Sequence, residues 1–219
     1  MKNALVIGAS GGIGAALVAE LQGRGFAVTG LSRSADGLEV TDKASVERVL
    51  GRLSGPFEVV LIAVGTLAVG ATPEKSLAAL EPQRMLDVYA VNAVGPALVL
   101  AEVARLLPRE GRAHVGVLSA RVGSIGDNRI GGWHSYRASK AALNQIVRGA
   151  AIEIGRKARD AVVVSLHPGT VQTGFTADYG SYRKVTAQVA ARNLCDVLLR
   201  LEPSQSGQFF DYAGMRVDW

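Results

Sequence analysis

The chain has 219 residues, 48% hydrophobic, 20% charged and 5% aromatic, with 26 glycines, one cysteine and a net charge of +5. That length fits a single domain, and that hydrophobic share supports a large core and argues against disorder. The lone Cys195 excludes an internal disulfide, and the basic residues are scattered among acids rather than gathered in an aromatic-interleaved run, which argues against nucleic acid. Residues 1–20 lack the layout of a secretory signal, and no run is expected to approach membrane-spanning length. The expected location is therefore the cytoplasm, with no membrane partner.

Residues 4–7 (Ala-Leu-Val-Ile) read as a short buried strand. Gly8-Ala-Ser-Gly-Gly-Ile-Gly14 follows at once, then residues 15–22 as a helix and 26–31 as a second strand. Glycine at such a strand-to-helix turn lets backbone N–H groups approach a pyrophosphate, and the helix N-terminus adds its dipole. The spacing is G-x-x-x-G-x-G (Gly8, Gly12, Gly14), and the βαβ context is what favours nucleotide binding over an ordinary glycine turn. At the end of the second strand an acid would bond the ribose 2′-hydroxyl of NAD. Ser32-Arg33 stands there instead, a cation with no acid, which favours the 2′-phosphate of NADP.

Asp36-Gly37 turns the chain toward residues 38–40 through an expected loop. Thr41-Asp42 reads as the cap of a helix running to about residue 53, broken by Gly55-Pro56. Residues 58–64 form a third buried strand ending at Gly65, where a glycine either lets the strand end lie against a cofactor or serves only as a turn. After a loop with Pro73 and Pro82, residues 84–107 read as one long helix kinked at Pro96. Its apolar residues occupy nearly every face, so it must be buried on more than one side. Asn92 inside it is either a core amide holding a neighbouring loop or a functional group. Residues 113–118 are a strand, from which Ser119-Ala-Arg-Val-Gly-Ser124 departs. A glycine-rich loop (127–133) leads to a helix at 135–157. A strand at 161–166 ends in His167-Pro-Gly-Thr170, and an amphipathic helix (186–201) and a last strand (207–210) follow. This alternation predicts an α/β, doubly wound, mostly parallel Rossmann-type sheet. Ligands of such sheets bind at the carboxyl ends of the strands, where residues 8–14, Gly65, Ser119 and Pro168-Gly169 fall.

The stretch Tyr136-Arg-Ala-Ser-Lys140 carries the chemistry. Four-residue spacing places Tyr136 and Lys140 on one helical face. Tyrosine ionises at about pH 10, and a neighbouring ammonium is expected to lower that value. The phenol then exchanges a proton with a substrate hydroxyl or carbonyl. His114, His134 and His167 share no metal-ligand spacing with Cys195, and no Gly-x-Ser-x-Gly elbow is present, so neither a metal site nor a serine hydrolase is expected.

Taken in order, Gly8-x-x-x-Gly12-x-Gly14, Asn92, the serine region at 119, Tyr136-x-x-x-Lys140 and Pro168-Gly169 resemble the short-chain dehydrogenase/reductase family over essentially the whole chain. Residues 119–128, Gly131-Gly-Trp133 and the ending Phe210-Asp-Tyr-Ala-Gly resemble its branch of C-factor-like proteins and small carbonyl reductases. The resemblance implies hydride transfer between a nicotinamide cofactor and a carbonyl or alcohol. Tyr136 would be proton donor or acceptor, Lys140 would tune it and bind the nicotinamide ribose, and Asn92 would hold a relay water. It implies cofactor contacts from Gly8, Ser10, Gly12, Ile13, Gly14, Ser32, Arg33, Val40, Ala63, Gly65, Tyr136, Lys140, Pro168, Gly169, Val171 and Thr173, with NADP preferred and NAD possible. It also implies a homodimer or homotetramer that pairs helices 84–107 and 135–157 between subunits.

The chain departs from the family at Ile62-Ala-Val-Gly65, where Asn-Asn-Ala-Gly is frequent, and at Ala120, which holds the place of the catalytic serine. Ser119 is expected to supply that hydroxyl, with Ser124, or no serine at all, as the alternatives; Ser135, directly before Tyr136, is expected to point elsewhere as a cap of the helix. Residues 174–185 are short for a substrate-covering segment, which predicts an open or shallow pocket. The second function class is a nucleotide-binding signalling or regulatory protein of the C-factor type with little turnover.

Overall fold

The computed structural model describes residues 1–70, 72–173 and 184–219. Its strands are β1 (Asn3–Ile7), β2 (Ala27–Leu31), β3 (Val59–Ile62), β4 (Ala113–Leu118), β5 (Ala161–His167) and β6 (Phe209–Asp211). They form one sheet in the order β2-β1-β3-β4-β5-β6, every neighbouring pair parallel. The chain steps from β1 outward to β2, returns across β1, and then adds β3 to β6 on the other side. The order therefore reverses between β1 and β3, and a crevice opens above their carboxyl ends.

Helices cover both faces, so the strands are apolar on both sides rather than alternating. Helices α1 (Gly12–Gly23) and α7 (Ala187–Arg200) lie on one face. There Leu17, Leu21, Leu194 and Leu198 meet Val6, Leu61, Val164 and Leu166. A single turn, α2 (Arg33–Asp36), precedes α3 (Lys43–Leu50); α4 (Pro82–Tyr89), α5 (Gly95–Leu106) and α6 (His134–Gly155) complete the set. On the second face Val46, Leu50, Val99, Val103, Leu143 and Val147 meet Leu5, Ile7, Val60, Ile62, Val115 and Val163.

Several boundaries differ from the sequence reading. Helix α1 starts at Gly12, because the first helical residues need no intrahelical donor bond and glycine costs nothing there in packing. The expected loop after β2 contains the turn α2, capped by the Ser32 hydroxyl and closed by Gly37 at φ 66. Helix α3 ends at Leu50, short of residue 53. The last strand is shifted to Phe209–Asp211.

The expected Pro96 kink is a π-helical stretch, Ala90–Val94, between α4 and α5. Proline has no N–H to give, and its ring would press on the carbonyl four residues back, that of Asn92; a wider turn absorbs both conflicts. The run Pro82–Leu106, 25 residues, is also long and apolar enough to cross a membrane by length and composition, contrary to the sequence expectation. Here it lies against the sheet, α3 and α6, with Val88, Asn92, Val99, Leu100, Val103 and Leu106 buried, the arrangement of a core helix. Leu86 and Val94 remain exposed, so its apolar circumference is not wholly covered within one chain.

Candidate active site

Strand β1 delivers Gly8 in a left-handed conformation, φ 87, and the Gly8 and Ala9 N–H groups both donate to Leu31 O at the end of β2, at 2.8 and 3.0 Å. A Cβ at Gly8 would lie 2.6 Å from Ala63 O, and one at Gly14 only 2.0 Å from Gly8 O, so glycine is the residue this turn permits. Helix α1 has Gly11 as its N-cap, with no side-chain cap and no acid in its first turn among the described residues. Its first amide groups, beside exposed Ser10 and half-buried Ile13, keep their donors and the positive dipole end for an anion. A Cβ at Gly12 would meet Thr173 Cγ2 at 2.9 Å, so the segment after β5 crosses this turn. These residues fit a dinucleotide pyrophosphate.

At the end of β2 the sequence reading of a cation without an acid needs correction. The Asp36 carboxylate accepts the Ser32 N–H at 2.7 Å and its hydroxyl at 3.4 Å, because one helical turn brings position 36 back to the strand end. Arg33 is 81% exposed at its side chain, with the Glu39 carboxylate at 3.7 Å. Val40 is buried in the core, where it packs so closely that a Cβ at Gly95 would touch it at 2.9 Å.

Helix α6 places Tyr136, Ser139 and Lys140 in the interior. The Lys140 ammonium donates to Leu118 O at 3.0 Å and stands 6.0 Å from the centroid of the Tyr136 ring. Burial lowers the Lys140 pKa from 10.5 to about 7. Burial raises that of Tyr136, the opposite of the expected lowering. The physical reason is shared: loss of water penalises the charged form of each group, and Lys140 itself tends to the neutral form.

Asn92, fully buried in the π-helical stretch, spends its amide on the chain. Its Oδ1 accepts the Thr66 N–H at 2.7 Å, and its Nδ2 donates to Thr66 O at 2.8 Å and to Ser139 Oγ at 3.0 Å. Ser139 Oγ in turn donates to Tyr136 O at 2.8 Å. Of its two sequence readings, the amide that holds a neighbouring loop is the one this geometry displays. It ties the exit of β3 to the Tyr136 helix. A Cβ at Gly65 would fall 3.2 Å from Lys140 Nζ and 3.3 Å from Asn92 Oδ1, so a glycine there keeps open the corner where these side chains converge.

The three serines differ in what their hydroxyls are doing. Ser124 Oγ accepts the Asp127 N–H at 3.1 Å, closing the turn after β4. Ser135 Oγ donates to the Glu74 carboxylate. Ser119 Oγ is buried without a hydrogen-bond partner among the described residues. Ala120, beside it, is buried as well.

Beyond β5, Pro168 leads to Gly169 at φ 77, over which the Tyr212 ring lies so close that a Cβ would meet it at 3.0 Å. Val171 is buried and bridges Val185. The expectation of a short covering segment at residues 174–185 rests on residues 174–183, which lie outside the described residues. Sequence reasoning missed three participants: Ser139, Thr66 and Glu74. Ser139 lies inside the Tyr-x-x-x-Lys motif, three residues after Tyr136, and helical spacing could have flagged it. Thr66 and Glu74 act through contacts 26 and 61 residues away and leave no local signal.

A family model described as enoyl-(acyl carrier protein) reductase matches residues 8–205. A dehydrogenase of 1-hydroxy-2-glutathionyl-2-methyl-3-butene from Rhodococcus sp. (strain AD45) is 35% identical over the whole of both chains. The C-signal protein of Myxococcus xanthus is 32% identical over 76% of this chain and 95% of its own. Among solved structures, a short-chain dehydrogenase/reductase from Burkholderia multivorans with bound NADP superposes with a TM-score of 0.85 at 28% identity, covering 100% of this chain and 99% of its own. The glycine turn, the buried Tyr136–Lys140 pair and these likenesses agree: the chain belongs to the short-chain dehydrogenase/reductase family of NAD(P)-dependent oxidoreductases.

Proposed function

We propose that this protein is an NADP-preferring oxidoreductase of the cytoplasm that interconverts a carbonyl and an alcohol in a small-molecule substrate. One observation carries the reading: Tyr136 and Lys140 lie buried one helical turn apart, with Lys140 fastened to the end of β4, at the same sheet edge as the glycine turn. Bound NADP(H) supplies or takes up the hydride. The chain handles the proton. Burial keeps the Tyr136 phenol protonated at neutral pH, so it enters reduction as an acid and donates to the carbonyl oxygen as negative charge develops there. Ser119, whose hydroxyl is otherwise unspent among the described residues, is the second donor to that oxygen. Lys140, at about 7, exchanges a proton near neutral pH and restores the phenol. Asn92 and Ser139 hold the helix that carries both.

Arg33 supports the cofactor preference, since its exposed guanidinium suits a 2′-phosphate while Asp36 is turned onto the Ser32 amide. The NADP in the Burkholderia multivorans neighbour supports the same choice. A homodimer or homotetramer is supported by a groove of about 270 Å³ between α5 and α6, lined in part by Leu100, Ala101, Ala104, Ile146, Ala150 and Glu153.

The test is steady-state oxidation of NADPH with aldehydes, ketones and quinones, and reduction of NADP with alcohols that include a glutathionyl alcohol. Turnover with at least one is expected. Tyr136→Phe should lower it by about 10²-fold or more while cofactor affinity is kept. Near-normal turnover in that variant would sink the mechanism. The identity to C-signal favours a second reading, a signalling protein with little turnover. Tight NADPH binding with no turnover across the panel would select it.

A further inference from the structure

Helix α6 carries Tyr136 and Lys140 but starts without a capping group of its own. Its N-cap residue is Trp133, whose indole offers no acceptor to the helix amides, and its first turn contains no acid. The cap arrives from 61 residues earlier in the chain. The Glu74 carboxylate accepts the Ser135 N–H at 3.3 Å through one oxygen and the Ser135 hydroxyl through the other. The Glu74 carbonyl accepts the Trp133 N–H. A carboxylate at this end of a helix is favoured by the dipole. Burial pushes Glu74 up, but the Ser135 hydroxyl and amide, its own backbone N–H and His134 together outweigh burial and hold the carboxyl below its ordinary value.

What Glu74 holds is close to the reacting group. Trp133 sits at φ 51, ψ 41, the one non-glycine residue with positive φ among the described residues. Such a conformation persists only where its surroundings over-determine it. The Trp133 ring meets the Tyr136 ring edge-on, centroids 6.3 Å apart at 67°. The loop that bears Glu74 is also anchored at its start, where Asn92 clasps Thr66 and Ser139. Beside the Glu74 anchor stands a cavity of about 320 Å³, lined in part by Leu67, Val69, Pro73, Val88 and Ser135.

We propose that Glu74 is a positioning residue: by capping α6 through Ser135 and fixing Trp133, it sets the placement of the Tyr136 hydroxyl. The inference rests on Tyr136 being the proton donor. Glu74 touches no reacting atom; it acts through the helix start.

The experiment compares Glu74→Ala, Glu74→Gln, Ser135→Ala and the double variant Glu74→Ala/Ser135→Ala. Hydrogen exchange of the 133–140 peptide is read on the protein alone, and kcat, KM and NADPH affinity are read with a carbonyl accepted by the parent. In Glu74→Ala, exchange at the helix start should rise about fivefold or more while the 113–118 strand is unchanged. Its kcat should fall about tenfold, with NADPH affinity within about twofold. Glu74→Gln keeps an acceptor oxygen for Ser135 and should restore most of kcat. The double variant should be no worse than Glu74→Ala, since both changes remove one contact.

Unchanged exchange and kcat in Glu74→Ala would overturn the proposal, as would a kcat loss matched by an equal loss of NADPH affinity. Should Glu74→Ala fail to fold, Ser135→Ala must show the raised exchange and lowered kcat, and parental values there would overturn the proposal equally. Should the parent reduce no carbonyl, the proton-donor reading fails on its own, and exchange in Glu74→Ala alone decides whether Glu74 holds the helix start.

Discussion

Lys140 should destabilise the fold that carries it, and Lys140→Met should make the cofactor-free protein more stable at neutral and acid pH. Burial holds Lys140 at about 7 against an ordinary 10.5. Below pH 7 the folded chain must carry a buried ammonium, and at about 1.4 kcal/mol per pKa unit that costs about 5 kcal/mol relative to the unfolded chain. Methionine fills a similar volume without charge. The variant leaves Leu118 O without the donor it now has at 3.0 Å. That loss costs about 1–3 kcal/mol. The net expectation in mild acid is a gain of about 2–4 kcal/mol, or roughly 5–15 °C in Tm for a chain of this size.

The sign depends on pH. Between about 7 and about 10.5 the unfolded chain holds a proton at Lys140 that the folded chain does not, so the parent gains stability as pH rises. The gap should close through this window, and the orphaned carbonyl should make the variant the less stable protein at about pH 10. Urea unfolding of both proteins at about pH 6, 8 and 10 measures it. A variant that is less stable in acid, or a gap that does not change with pH, would refute the reasoning about desolvation. Whatever its stability, the variant should have lost turnover.

Arg33→Ala should erase most of the preference for NADPH over NADH in fluorescence titrations; an unchanged ratio would move the selectivity elsewhere. Ser119→Ala should lower kcat by about 10²-fold with little effect on folding, whereas Ser124→Ala, which loses the Asp127 N–H contact, should keep most of its turnover and lose about 1 kcal/mol of stability. The reverse pattern would transfer the role to Ser124. Light scattering should find a dimer or tetramer, and Ala150→Glu, which adds a second carboxylate to the α5–α6 groove that Glu153 already lines, should dissociate it; a monomeric parent at micromolar concentration rejects that interface.

Features that depend on near neighbours along the chain are legible in the sequence itself. The glycine turn, the alternation of buried strands with helices, and the shared face of Tyr136 and Lys140 follow from backbone sterics, burial on both sheet faces and a 3.6-residue helical period. They are enough to place the cofactor edge and to pick out the proton-handling pair.

What the tertiary structure decided is the state and the surroundings of that pair. An ammonium beside a phenol lowers the phenol's pKa in water, but at Tyr136 the direction depends on how much water both groups lose, and burial is a property of the assembled layers. Asp36 reaches the end of β2 because a helical turn forms where the sequence reads as a loop. The π-helical stretch carries Asn92 to Thr66 and Ser139, and the cap of the Tyr136 helix comes from Glu74. These last three contacts join residues distant in the chain, and the pairing energy of a hydrogen bond across 26, 47 or 61 residues has no counterpart in local composition or periodicity. Sequence spacing set which groups share a helix face; only packing set their charge, their partners and their orientation.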